Sequence, residues 1–124
     1  MKTQNRSLSD ANATTYGGEW GKMWTLASAD IGNSDKLNLG RVINRKGGSN
    51  PRHSHPTCQE ILHLLRGKLL YYVQDKCIEV NPGDTLSIKA GVPHYGESVG
   101  GKEAEMIVAF SNGVRDFKEE PLSQ

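Results

Sequence analysis

The chain lacks most of what would direct it to a membrane or a nucleic acid. Its 124 residues contain no stretch long and apolar enough to cross a bilayer. Lysine and arginine number 15 against 14 aspartates and glutamates, giving a net charge of +1 with no basic block. Neither nucleic acid nor an anionic membrane is therefore expected as a main partner. The first ten residues, Met1 to Asp10, lack the apolar core of a secretion signal, which makes the cytoplasm the expected location. Cysteine is scarce, and in that compartment Cys58 and Cys77 are expected as reduced thiols. A bridge between them would need neighbouring strands and an oxidising setting. Also missing are convincing helical periodicity, low-complexity tracts and any helix-turn-helix pattern.

What is present reads as short strands. A hydrophobic content of 35% with 14 glycines suits one compact, turn-rich β domain. Trp20 to Leu26 and Leu37 to Asn44 read as the first strands. Cys58 to Leu65, Lys68 to Gln74, Cys77 to Val80, Thr85 to Ile88, His94 to Ser98 and Glu103 to Phe110 follow in quick succession. Turn signals at Gly67, Asp75-Lys76, Asn81-Pro82-Gly83 and Gly100-Gly101 separate them. Such regular punctuation argues a sandwich or barrel. The expected division is a flexible, polar N-terminal arm over residues 1–16, a barrel over 17–112 and a charged tail over 113–124, the tail forming a short helix or staying mobile.

Only four histidines occur, and three of them, His53, His55 and His94, fall with Glu60 into one pattern. Side chains two apart on an extended strand point to the same side, so His53 and His55 present two imidazoles to one point. Pro56 begins a turn into the apolar run Glu60 to Leu65, which is expected to return beside the first strand and add its carboxylate. His94 follows the loop Lys89-Ala90-Gly91-Val92-Pro93 and would close the site from a second hairpin. Three imidazoles and a carboxylate suit a divalent transition metal, with Fe, Mn, Ni and Zn all in contention and Cu acceptable to the imidazoles.

Gly47, His53, His55, Glu60 and Gly67, with intervening gaps of five, one, four and six residues, resemble the first motif of the cupin superfamily. The segment Gly83 to His94 resembles its second motif, with Pro82-Gly83-Asp84 as the turn before the strand. Lys89 stands where that family usually has proline and Ser98 where it often has asparagine, and neither is a ligand position. The resemblance implies an all-β fold, an antiparallel double-stranded β-helix or jelly-roll barrel. It also implies one metal per chain on His53, His55, Glu60 and His94. Four protein ligands on a metal that prefers six leave two positions for a small-molecule substrate, water or dioxygen. The favoured function is a metal-dependent enzyme, with dioxygenase-type oxidation of a small oxygen-bearing molecule. The alternatives are isomerase or lyase chemistry with Glu60 as catalytic base, and a non-catalytic sensor that holds a small molecule.

Strand parity sorts the remaining candidates. If Glu60 faces the interior, so do Leu62 and Leu64, while Ile61, His63 and Leu65 face outward. His63 is then not a ligand, and the outward Ile61 and Leu65 would need cover, which suggests a homodimer. Leu37, Leu39, Arg41 and Ile43 share one parity and would place a guanidinium on an apolar face. Arg41 is therefore a candidate anchor for a substrate carboxylate. Cys58 reads as a small buried hydrophobe. Tyr71, Tyr72, Met106 and Phe110 are available as pocket walls, Trp20 and Trp24 as packing in the first strand, and Thr57, Gln59 and Ser98 as hydrogen-bond partners of the ligating imidazoles.

Overall fold

The computed structural model describes residues 3–122. Eleven strands build two antiparallel sheets. The first sheet holds, in spatial order, β1 (Thr15–Gly18), β2 (Gly21–Ala27), β3 (Asn38–Asn44), β10 (Ala104–Phe110), β5 (Glu60–Arg66) and β8 (Thr85–Ile88). The second holds β11 (Lys118–Glu119), β4 (His53–Ser54), β9 (His94–Ser98), β6 (Leu69–Val73) and β7 (Lys76–Val80). From β3 onward the chain passes repeatedly between the sheets, which is the path of the expected double-stranded β-helix. Among the described residues, no helix is long and apolar enough to cross a membrane.

Alternation decides which side chains enter the space between the sheets. Along β5, Glu60, Leu62 and Leu64 are buried while Ile61 and Leu65 are exposed, as parity requires. Along β10, Ala104, Met106, Val108 and Phe110 point inward. They meet Leu69, Tyr71, Val80 and Ile88 in a single hydrophobic cluster. Gly67, at φ +85°, makes the turn from β5 to β6, where an added Cβ would meet the carbonyl oxygen of Glu103 at 2.4 Å. Gly96 on β9 lies opposite Tyr71 on β6, and a Cβ there would stand 2.5 Å from the ring. The missing side chain lets Tyr71 stack towards His94, with centroids 6.0 Å apart.

All eight expected strands are present within two residues of their expected ends. Three further strands carry too little local pattern to be read: Thr15–Gly18 contains two glycines, and β4 and β11 are two residues each and exist through their partners. Among its described residues the tail forms no helix. Lys118–Glu119 pairs with β4, an extended tertiary contact outweighing the helical preference of its charged residues. The N-terminal arm also carries local structure. A 3₁₀ turn at Asp10–Thr14 lies against β2, tied by Thr14 Oγ1 donating to the Thr25 carbonyl (2.8 Å) and Trp24 Nε1 donating to Asn12 Oδ1 (3.2 Å). Met1 and Lys2 of that arm, and Ser123 and Gln124 of the tail, lie outside the described residues.

Candidate metal centre

The path between sheets assembles the site at one end of the barrel. β4 pairs with β9 so that His53 stands opposite His94, and His55 follows directly as the chain leaves β4. Glu60 does not return beside the histidine strand, as the spacing suggested. It opens β5 in the facing sheet, between Phe110 of β10 and Ile88 of β8, and reaches across the barrel. All four residues are buried, and one ligand atom from each lies within 4.8 Å of all the others.

Hydrogen bonds fix how the rings face. Nδ1 of His53 lies 2.6 Å from the Pro51 carbonyl oxygen, Nδ1 of His55 2.6 Å from that of Asp116, and Nδ1 of His94 2.8 Å from that of Val92. A carbonyl only accepts, so each Nδ1 carries a proton and each Nε2 faces the centre, where a ring in its neutral form offers a lone pair. There, Glu60 Oε1 sits 3.1 Å from His94 Nε2 and 3.3 Å from His55 Nε2, and the latter atom is buried without a hydrogen-bond partner. Three ring nitrogens and a carboxylate converging on one point call for positive charge among them, either ring protons such as the one the His94 Nε2–Glu60 contact accommodates or a metal ion. That donor set fits a divalent transition metal, which needs neutral imidazoles and an ionised carboxylate.

The electrostatics supply a neutral His53 and an ionised Glu60. Burial, helped by the neighbouring His94, lowers the His53 pKa to about 4, so the ring is neutral at ordinary pH. Burial alone would raise Glu60, but the imidazoles of His55 and His94 beside it outweigh this and hold its carboxyl well below the usual carboxylate range. The expected hydrogen-bond partners Thr57, Gln59 and Ser98 do not touch the rings, because backbone carbonyls hold all three. Thr57 acts one step further out, its N and Oγ1 donating to Asp116 Oδ2 at 2.9 and 2.8 Å. Cys58 is buried and Cys77 exposed, and both are free thiols. Burial pushes the Cys58 thiol up, as suits a packed side chain.

A cavity of about 110 Å³ opens onto His53, His55 and Glu60. Tyr71, Met106 and Phe110 line it, whereas Tyr72 lies elsewhere and stacks on Tyr95 with centroids 4.6 Å apart. The tryptophan pair separates: Trp20 sits in the turn between β1 and β2 and lines the cavity. Trp24 faces outward beneath the Arg41 guanidinium, 4.6 Å from its ring centroid. Arg41 is accordingly not at the site. Its face of β3 is the outer one, and its Nε donates to Glu105 Oε2 at 2.5 Å. His63 is outward too, with Nδ1 2.8 Å from Thr85 Oγ1.

Residues from β1 and from the stretch before β11 also contribute, although no local pattern marked them. Tyr16 of β1 lines the cavity, as do Arg115 and Phe117 of the C-terminal segment, and Phe117 stacks on His53 with centroids 4.9 Å apart. None lies in a run with its own periodicity, so no parity signal could have pointed to them.

Fold and donor set together define a metal-binding barrel protein, and the family model of the cupin domain matches residues 40–110. The chain belongs to the cupin family. Among curated relatives it is 33% identical over 81 residues to Germin-like protein 3-8 of Oryza sativa subsp. japonica, a match covering 61% of this chain and 36% of that protein. It is 32% identical over 84 residues to Oxalate oxidase GF-2.8 of Triticum aestivum, covering 61% and 38% respectively. The chain thus spans about two-fifths of the length of the curated relatives it matches. The structure of an oxalate oxidase in complex with the substrate analogue glycolate superposes with a TM-score of 0.77 at 26% identity, covering 94% of this chain and 62% of that one.

Proposed function

We propose that this protein is a metal-dependent enzyme that oxidises a small carboxylate. The observation that carries this reading is the convergence of three Nε2 atoms and an ionised carboxylate at the floor of a small, mostly apolar cavity. The bound metal would supply a Lewis-acidic, redox-capable centre with positions left for small ligands. His53, His55 and His94 would hold it as neutral donors, and Glu60 would contribute negative charge. Tyr16, Trp20 and Phe117 narrow the cavity and limit water around the reacting atoms. A volume of about 110 Å³ gives room for on the order of eight water molecules, which suits a substrate of few heavy atoms rather than a flavonol. The relatives named for oxalate oxidation support the same choice of substrate.

The test is elemental analysis of protein purified without oxygen, then oxygen uptake with oxalate, glycolate and catechol. About one metal per chain with uptake on the carboxylates alone is expected. Uptake on catechol alone would favour a ring-cleaving dioxygenase, and carboxylate consumption without uptake a lyase. Full metal with neither binding nor turnover of any carboxylate would leave a sensor or binding protein.

We further propose a homodimer through the outer face of the first sheet. Leu39, Ile61 and Leu65 on that face are 37, 43 and 48% exposed. The parent protein is expected to sediment at twice 13.6 kDa and Ile61→Glu at the monomer mass. A monomeric parent would remove the idea.

A further inference from the structure

We propose that Arg115 selects the substrate at this site, its guanidinium taking a carboxylate whose other oxygens reach towards the His53, His55, Glu60 and His94 cluster. The inference rests on the reading of the cavity as a site for small carboxylates. It assigns the selection to a residue of the C-terminal segment.

Arg115 lines the same cavity as His53, His55 and Glu60. Its Nη2 donates to the Tyr16 hydroxyl at 2.5 Å, while its Nε is buried with no hydrogen-bond partner. The guanidinium carbon lies 5.2 Å from the ring centroids of Tyr16 and Phe110 and 5.6 Å from that of Phe117. Three rings thus hold the plane of the group, and the Tyr16 hydroxyl fixes one corner. Among the other arginines, Arg41 meets Glu105 and Arg66 meets Glu103 and Glu105, while Arg6 and Arg52 donate to backbone carbonyls. Among the described residues, no carboxylate lies within ion-pair distance of Arg115.

A buried N–H without a partner is costly, and a guanidinium without an anion more so. An arginine serving only as a plug would be expected to use its donors on carbonyls or carboxylates of its own chain. Here the guanidinium borders the cavity it shares with the metal donors, and its Nε–H meets no acceptor of its own chain. The geometry matches two-point capture of a carboxylate. The favoured ligands are therefore dicarboxylates and α-oxygenated carboxylates short enough to reach the metal donors and Arg115 together. Monoanions that need only the metal gain little from the arginine.

The experiment measures calorimetric binding of oxalate and of azide to the metal-loaded full chain, with metal content determined for every variant. Arg115→Ala is expected to weaken oxalate binding by about 10- to 100-fold, with azide affinity and metal content unchanged. Arg115→Lys, which keeps the charge but loses the fork, should fall between. Tyr16→Phe frees the anchored corner and should weaken oxalate several-fold. Arg41→Ala, on the outer face, should change nothing. If the parent loads metal but binds no carboxylate, the small-carboxylate reading itself fails. If the parent binds oxalate and Arg115→Ala does so within twofold, Arg115 has no such role and the site reading stands. Parallel loss of oxalate and azide would mark a structural role and overturn the inference. Should Arg115→Ala shed its metal, Tyr16→Phe decides, and unchanged oxalate affinity in that variant overturns the inference as well.

Discussion

Replacing His55 with alanine is expected to remove the metal and leave the barrel standing. The imidazole supplies one of four donors that lie within 4.8 Å of one another, and its Nδ1 proton is committed to the Asp116 carbonyl, so no neighbour can take over the position. Disturbing only the partner of a ligating histidine typically costs 10- to 100-fold in metal affinity, so deleting the ring itself should cost more than about 100-fold. The fold depends on other contacts. Leu62, Leu64, Leu69, Ile88 and Val108 fill the space between the sheets without using the ligand cluster. Domains of this size bury enough apolar surface to fold without a metal. Elemental analysis of the His55→Ala variant should show far less than one metal per chain, while circular dichroism keeps its β signature. If the metal-free protein is unfolded at room temperature, the metal contributes to folding and the expectation is wrong.

Acid should destabilise the metal-free protein by about 3 kcal/mol between pH 6.5 and pH 4. The His53 pKa falls from 6.5 to about 4 in the folded chain, first because the ring is buried and then because His94 is close. Unfolded chains take up this proton near pH 6.5 and the folded form resists it until about pH 4, so the unfolded state binds more protons across that window. The stabilisation is fully present above pH 6.5 and is lost as the pH falls towards 4, at about 1.4 kcal/mol for each pH unit crossed. Glu60, also held below its ordinary value, extends the loss to lower pH. Urea midpoints measured with a chelator at pH 7, 5.5 and 4 should decline steadily. A flat profile would mean that His53 is neither buried nor neutral as described.

The convergence of His53, His55, Glu60 and His94 was legible because their chemistry is carried by residue type and fixed spacing. The outward placement of His63 was legible because parity on β5 is strict. Which sheet each ligand belongs to was not, since alternation reports faces and says nothing of partners. Glu60 therefore arrives from the opposite sheet. Arg41 misled for a related reason. Leu39, Arg41 and Ile43 form the more apolar set of β3, but they face outward, while the inward set, Asn38, Gly40, Val42 and Asn44, is small and polar. Two of these, Val42 and Asn44, line the cavity. A strand that borders a cavity with small inward residues inverts the usual pattern, and apolar character then marks its outer face. Asp116 and Phe117 reach the cluster from an unpaired stretch just before β11, which carries no local pattern.

That segment also sets the order in which the centre can mature. A chain growing from its N-terminus presents His53, His55, Glu60 and His94 well before residues 115–117 leave the ribosome. Until Asp116 docks, the His55 Nδ1 has no carbonyl to orient it, and until Phe117 docks, one side of His53 is open. The arginine in the cavity arrives with the same stretch. Ring orientation and the closing of the cavity therefore depend on one stretch, and a chain without it keeps His53, His55, Glu60 and His94 but loses the carbonyl and the ring that position two of them.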